Sequence, residues 1–271
     1  MTNIIAKPDI DAGLCNRIKC IISAMHEAEQ SEGRLCLDWT PSFSCGAEFS
    51  DLFDNAFPYE KEGTAISTWK FPDIPKEKIL EYLARLKIKN SISDEADAFF
   101  SYEFSPQSTV VGVHVRRNEF LLNSEKKKST DELFFRRMDG IIEKNPEVLF
   151  FLATDSTKAM DDFIGRYGER IITYHKDCLD RSKTEAIRQA LVELLILSKC
   201  NLILGSHLST YSEMAWWLGA CKAEIEMIGK PEVETIRIED QKTSRISSAN
   251  QWLRRNSGLY RWMMRLGGYW A

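Results

Sequence analysis

Thr109-Val-Val-Gly-Val-His-Val-Arg-Arg117 is the stretch that decides the fold. An apolar run of strand length that breaks abruptly into cationic residues reads as a buried parallel strand whose carboxyl end carries chemistry. Downstream, the pattern predicts a helix over 130–143, a strand over 148–153, a helix over 157–167 and a strand over 170–173. It then predicts a helix over 184–199, a strand over 201–204, a helix over 210–219 and a strand over 224–228. That alternation specifies an α/β fold with parallel sheets. Upstream, Pro106 and the small polar residues 105–108 break the pattern and place a domain boundary there.

The first hundred residues carry a weaker version of the same rhythm. A strand is expected over 2–6 and a helix from Leu14, because Leu14, Ile18, Ile21, Ile22 and Met25 share one helical face. A second strand is expected over 34–39, loop-dominated structure over 40–64, and helices over 74–86 and 91–104. The chain has 271 residues, 44% hydrophobic and 28% charged, with a net charge of -4, which fits a globular protein and disfavours binding nucleic acid through bulk phosphate neutralisation. The seven cysteines form no CxxC pair and several sit in apolar runs, so reduced, buried thiols are expected. With no signal-like leader and no run of about 18 apolar residues, the expected location is cytoplasmic.

In parallel sheets ligands bind beyond the carboxyl ends of the strands. Three such ends are polar: His114, Arg116 and Arg117; Thr154, Asp155 and Ser156; Gly205, Ser206, His207 and Ser209. Paired guanidinium donors suit a diphosphate, although the same arginines serve equally in surface ion pairs. Thr210-Tyr-Ser-Glu213 fits a capping box, which either presents a phosphate-binding helix terminus or simply starts a helix. Glu193 lies in a helix apolar almost all round, so it is either tied to a buried cation or reaches a ligand. Gly13-Leu-Cys-Asn16-Arg17 occupies the first strand-to-helix turn, where Asn16 and Arg17 are placed to donate toward a ligand or to shape an ordinary turn.

Four of these stretches together resemble the superfamily of α1,2-, α1,6- and protein O-fucosyltransferases, including the nodulation fucosyltransferase. They are Gly13-Leu-Cys-Asn-Arg17, Val111-Gly-Val-His-Val-Arg-Arg-Asn-Glu119, Phe151-Leu-Ala-Thr-Asp155 and the run from Leu194 to Ser209. The resemblance implies a glycosyltransferase-B fold, with two Rossmann-like domains facing a cleft. Residues 1–105 would be the acceptor-side domain, 106–235 the GDP-sugar-binding domain and 236–271 a basic aromatic tail. It implies inverting, metal-independent transfer of fucose from GDP-fucose to a glycan or lipid-linked oligosaccharide acceptor, in bacterial surface polysaccharide synthesis. No cofactor beyond the donor substrate, no metal and no nucleic-acid partner are expected.

The resemblance also implies roles. Arg116 would hold the β-phosphate with Arg117 in support, and His114 and Glu193 would contact the guanine or its ribose. Asp155 and Ser156 would line the nucleotide pocket, Ser206 and Ser209 would meet the phosphates, and Asn16, beside Arg17, would reach in from the other domain. The sequence departs from the family at Glu119, where an aspartate is usual, and at Cys15, where a small residue is common. Glu119 and Glu125 are the candidates for the catalytic base. Another nucleotide sugar, or binding without catalysis, are the alternative functions on this scaffold. Residues 251–271 mix four arginines with tryptophan, tyrosine and methionine and no acid, a composition suited to the inner membrane interface.

Overall fold

In the computed structural model, residues 2–67, 71, 74–117 and 129–229 are described. The expected base candidates Glu119 and Glu125, and the basic aromatic tail 236–271, lie outside them. The described residues all fall within one unit, Met1–Val233.

The first sheet is built from β1 (Asn3–Ala6), β2 (Arg34–Leu37) and β3 (Thr64–Ile66), in the order β2-β1-β3 and parallel throughout. Strand β3 falls at the end of the stretch read as loop: at three residues it is too short for a period-2 pattern, and only pairing with Ile4–Ala6 defines it. Helix α1 (Leu14–Gln30) packs on this sheet with Ile18, Ile21 and Ile22 buried, as the spacing predicts. The loop region also contains α2 (Phe49–Leu52), held by a Glu48–Asp51 capping box. Helices α3 (Lys76–Arg85) and α4 (Asn90–Glu103) follow within a residue or two of expectation.

The second sheet comprises β4 (Val110–Val115), β5 (Leu149–Thr154), β6 (Ile171–Ile172), β7 (Leu202–Ser206) and β8 (Glu224–Ile228), ordered β6-β5-β4-β7-β8, all parallel. Interleaved are α5 (Asp131–Lys144), α6 (Thr157–Tyr167), α7 (Thr184–Leu197) and α8 (Thr210–Leu218). Numbered from β4, the order is 3-2-1-4-5, which is doubly wound with its switch point between β4 and β7.

Alternation along β4 then positions the site. Val111, Val113 and Val115 join Phe134, Met138, Phe150 and Phe163 in the core on one face. Gly112 and His114 turn to the other face, where a Cβ on Gly112 would lie 2.4 Å from Leu197 Cδ1, so glycine leaves room for Leu197 at the end of α7. His114 is the last residue on that face before the strand ends.

All seven cysteines are free thiols, five of them buried, with Cys178 and Cys221 half-exposed. Among the described residues no helix is long and apolar enough to cross a membrane. Glu95 of α4 forms a cross-link, accepting hydrogen bonds from both Arg188 on α7 and Tyr174.

Candidate functional site

The carboxyl ends of β4 and β7 are stapled by Ser206. Its hydroxyl donates to the His114 carbonyl at 3.0 Å and accepts from the Arg116 backbone N–H at 2.9 Å. Thr154 Oγ1 donates to the Val115 carbonyl at 2.7 Å, and Asp155 accepts from the Arg117 backbone N–H at 2.7 Å. The backbone from His114 to Arg117 is thus fixed on both sides. The Arg117 guanidinium donates to the Arg116 carbonyl at 2.9 Å and pairs with Asp131, which commits it to supporting the motif.

Arg116 differs. Its guanidinium is half-buried, and among the described residues it has no carboxylate in ion-pair contact and no side-chain hydrogen bond. Burial, and then the Arg181 guanidinium, push its pKa below the ordinary arginine value, against the opposing pull of Asp155. A cation so placed is stabilised by an anion, and among the described residues none is in contact with it.

His114 is 7% exposed and stacks on Tyr211, ring centroids 4.7 Å apart. Its Nδ1 lies 2.8 Å from Ser212 Oγ and 3.3 Å from Ser209 Oγ. Burial, then Arg116, Lys176 and Arg117, lower its pKa from 6.5 to about 3, so the ring is neutral. Two hydroxyls able to donate converge on Nδ1; with both donating, the ring proton sits on Nε2 and makes that atom a donor.

Ser209, rather than Thr210, caps α8, accepting from the Ser212 backbone N–H at 3.4 Å. The expected capping box at Thr210–Glu213 does not form: the cap lies one residue earlier, and Glu213 instead takes a double hydrogen bond from Lys19 of α1, both at 2.8 Å. Ser206 and Ser209, expected to meet the phosphates, are both buried, at 4% and 2% exposure, with their hydroxyls engaged within the protein. They shape the strand end and the helix terminus.

One expectation changes. Arg17 is 1% exposed, and its donors reach the Ala12 carbonyl (2.8 Å), the Thr40 carbonyl (2.8 Å) and Ser42 Oγ (3.0 Å). It braces the loops after β1 and β2 rather than facing a ligand. Glu193 is 5% exposed, with one oxygen on the partly buried Lys176 and the other 3.2 Å from Tyr211 Oη. Lys176 also donates to the Thr154 carbonyl at 2.9 Å, tying Glu193 to the end of β5. Burial raises the Glu193 pKa, with Lys176 opposing it, and pushes Tyr211 well above its ordinary value. Lys176 and Tyr211 escaped the sequence reading, one in a loop and the other read as ordinary helix.

Asn16, third residue of α1, is 6% exposed, and its Oδ1 is buried without a hydrogen-bond partner. Ser156 caps α6, accepting from the Ala159 N–H at 3.3 Å, while Asp155 stays exposed at the end of β5. Among the described residues no group of three or more His, Cys, Asp or Glu side chains is arranged to hold a metal ion.

Fold and site together define a two-sheet α/β protein of the glycosyltransferase-B kind, with a cationic strand end at the switch point of its second sheet. It shares this fold with fucosyltransferases. The NodZ α-1,6-fucosyltransferase soaked with GDP-fucose matches at TM-score 0.58 and 17% identity, over 80% of this chain and 92% of that one. NodZ from Bradyrhizobium matches at TM-score 0.60 and 16% identity, over 79% and 91%. A variant of Arabidopsis thaliana FUT1 in complex with GDP matches at 0.58 and 13%, over 86% and 71%. Comparison of the sequence with protein-family models and with curated proteins finds no match.

Proposed function

We propose that this chain is an inverting, metal-independent fucosyltransferase that moves fucose from GDP-fucose to a glycan acceptor in bacterial surface polysaccharide synthesis. Residues 106–235 would bind the donor and 1–105 would face the acceptor. The observation that carries this reading is the half-buried Arg116 guanidinium, unpaired among the described residues, at the switch point of the second sheet. It sits beside a neutral His114 and the N-terminus of α8.

Glycosyl transfer leaves the electron pair of the broken C1–O bond on the diphosphate. A guanidinium that stays charged, and a helix terminus with unbonded N–H groups, stabilise that developing charge without reorganising. His114 adds a donor at Nε2 for the nucleotide, and Asp155 a carboxylate acceptor beside it. The acceptor hydroxyl forms the new bond to C1 and gives its proton to a carboxylate, for which Glu119 and Glu125 are the candidates. Similarity of fold to proteins crystallised with GDP-fucose or GDP supports the choice of donor. A composition suited to the inner membrane face in 251–271 supports a lipid-linked acceptor.

Thermal unfolding with GDP, UDP, ADP, CDP, GDP-fucose and GDP-mannose tests the donor, because a ligand that binds only the folded state raises the midpoint. GDP and GDP-fucose are expected to raise it, and Arg116→Ala to abolish the rise while lowering turnover at least about 100-fold. No rise with any guanine nucleotide would overturn the reading. A rise with GDP-mannose exceeding that with GDP-fucose would reassign the sugar, and binding with no GDP release would leave a binding protein.

A further inference from the structure

Arg181 belongs to none of the motifs in the sequence; it lies in the connection between β6 and α7. Its backbone is held firmly. The Arg181 carbonyl accepts from the Gly46 N–H at 2.8 Å, and Asp180 Oδ1 accepts from Ser182 N and Oγ at 3.0 and 2.7 Å. From there the side chain extends to the start of α1: its NH1 lies 3.7 Å from where a Cβ on Gly13 would be. Gly13 is the N-cap residue of α1, whose first turn carries no acidic residue and no side-chain cap. In that same turn Asn16 keeps its orphaned, 94%-buried amide oxygen.

Arg181 is half-buried and, among the described residues, makes no ion pair and no side-chain hydrogen bond. The charge acting most strongly on Arg116 is that of Arg181, which repels it. Two guanidiniums that repel each other and an uncapped helix terminus, with no carboxylate among the described residues in ion-pair contact with either guanidinium, form an arrangement that a multiply charged anion relieves.

We propose that Arg181 is a second diphosphate-binding residue, so that a nucleoside diphosphate is gripped by Arg116 from the second sheet and by Arg181 beside the start of α1. This rests on the donor reading given above, and it extends the site across the line between the two sheets. Neither arginine alone neutralises a diphosphate, whereas the pair supplies ten N–H donors in two planar forks. The bound nucleotide then touches elements of both sheets, and its arrival fastens them together.

Titration of the full chain with GDP and, by displacement, with guanosine tests this in the wild type, Arg181→Gln and Arg181→Lys. Arg181→Gln is expected to weaken GDP about 10- to 100-fold, the loss of a charge-assisted contact, with guanosine unchanged and a shallower dependence of GDP affinity on salt. Arg181→Lys should recover part of the loss by restoring charge without the planar fork. Unchanged GDP affinity in Arg181→Gln, or equal weakening of GDP and guanosine, overturns the role of Arg181 while leaving the donor reading in place. Absence of GDP binding in the wild type overturns the donor reading itself.

Discussion

At the scale of a single residue, His114 shows how burial sets chemistry. The ring is enclosed by Tyr211, Ser209 and Ser212, and Arg116, Lys176 and Arg117 are the cations that act on it. Protonating it would add a positive charge to a place already crowded with them. In the unfolded chain the imidazole takes up a proton below pH 6.5; in the folded chain it does so only near a pKa of about 3. The stability supplied by the neutral ring is therefore fully present above pH 6.5 and drains away as pH falls toward 3, by an amount on the order of 5 kcal/mol. Denaturant titrations from pH 7 to 4.5 should show this slope, and His114→Gln should flatten it. Parallel slopes for the two proteins would mean that the imidazole is not what titrates. The same neutrality keeps Nε2 a donor of constant character across the range in which the enzyme is proposed to work.

At the scale of elements, the decisive link is Lys176–Glu193, which joins the β6–α7 connection, α7 and the end of β5. Glu193 is buried and Lys176 largely enclosed, at 7% and 13% exposure, so the pair cannot be read as a surface salt bridge. Lys176→Met strands a carboxylate beneath Tyr211 and should destabilise the fold by about 3–5 kcal/mol. Adding Glu193→Gln removes the stranded charge and should recover most of that. A double variant no more stable than the single one would show that Lys176 acts through packing alone. This link also marks where sequence reading stops. Glu193 announces itself, because a charge in an apolar helix requires a partner, but the partner arrives from a loop with no periodicity. The strands and helices of the second half are legible within one or two residues because each carries a full period of apolar positions. Strand β3 is not, since Thr64–Ile66 is defined by its pairing with β1. The cap of α8 shifts from Thr210 to Ser209 for a related reason: both residues can cap, and the contact of Ser209 with His114 favours one.

At the scale of the whole molecule, the ends of β4 with His114 and Arg116, of β5 with Asp155 and of β7 with Ser206 were legible as three polar terminations, and the doubly wound order explains why β4 and β7 deliver theirs to one place. What the sequence could not supply is how loops of the first sheet meet those of the second, because no local pattern encodes contacts between residues more than a hundred positions apart. Lys19 reaches Glu213, and the Gly46 N–H reaches the Arg181 carbonyl. Gly46 is the tighter of these junctions. A Cβ there would lie 2.0 Å from the Ser182 carbonyl oxygen and 2.2 Å from its carbon, and both are backbone atoms, so no side-chain rotation relieves the clash. Gly46→Ala must push the 180–183 segment away, destabilising the fold by about 1–3 kcal/mol through overpacking. If Arg181 grips the diphosphate, the same displacement weakens GDP binding while sparing guanosine, even though residue 46 itself bears no charge. Gly46→Ala combined with Arg181→Gln should then weaken GDP little more than Arg181→Gln alone, because both act through one guanidinium. Fully additive losses would show that Gly46 and Arg181 serve the nucleotide separately.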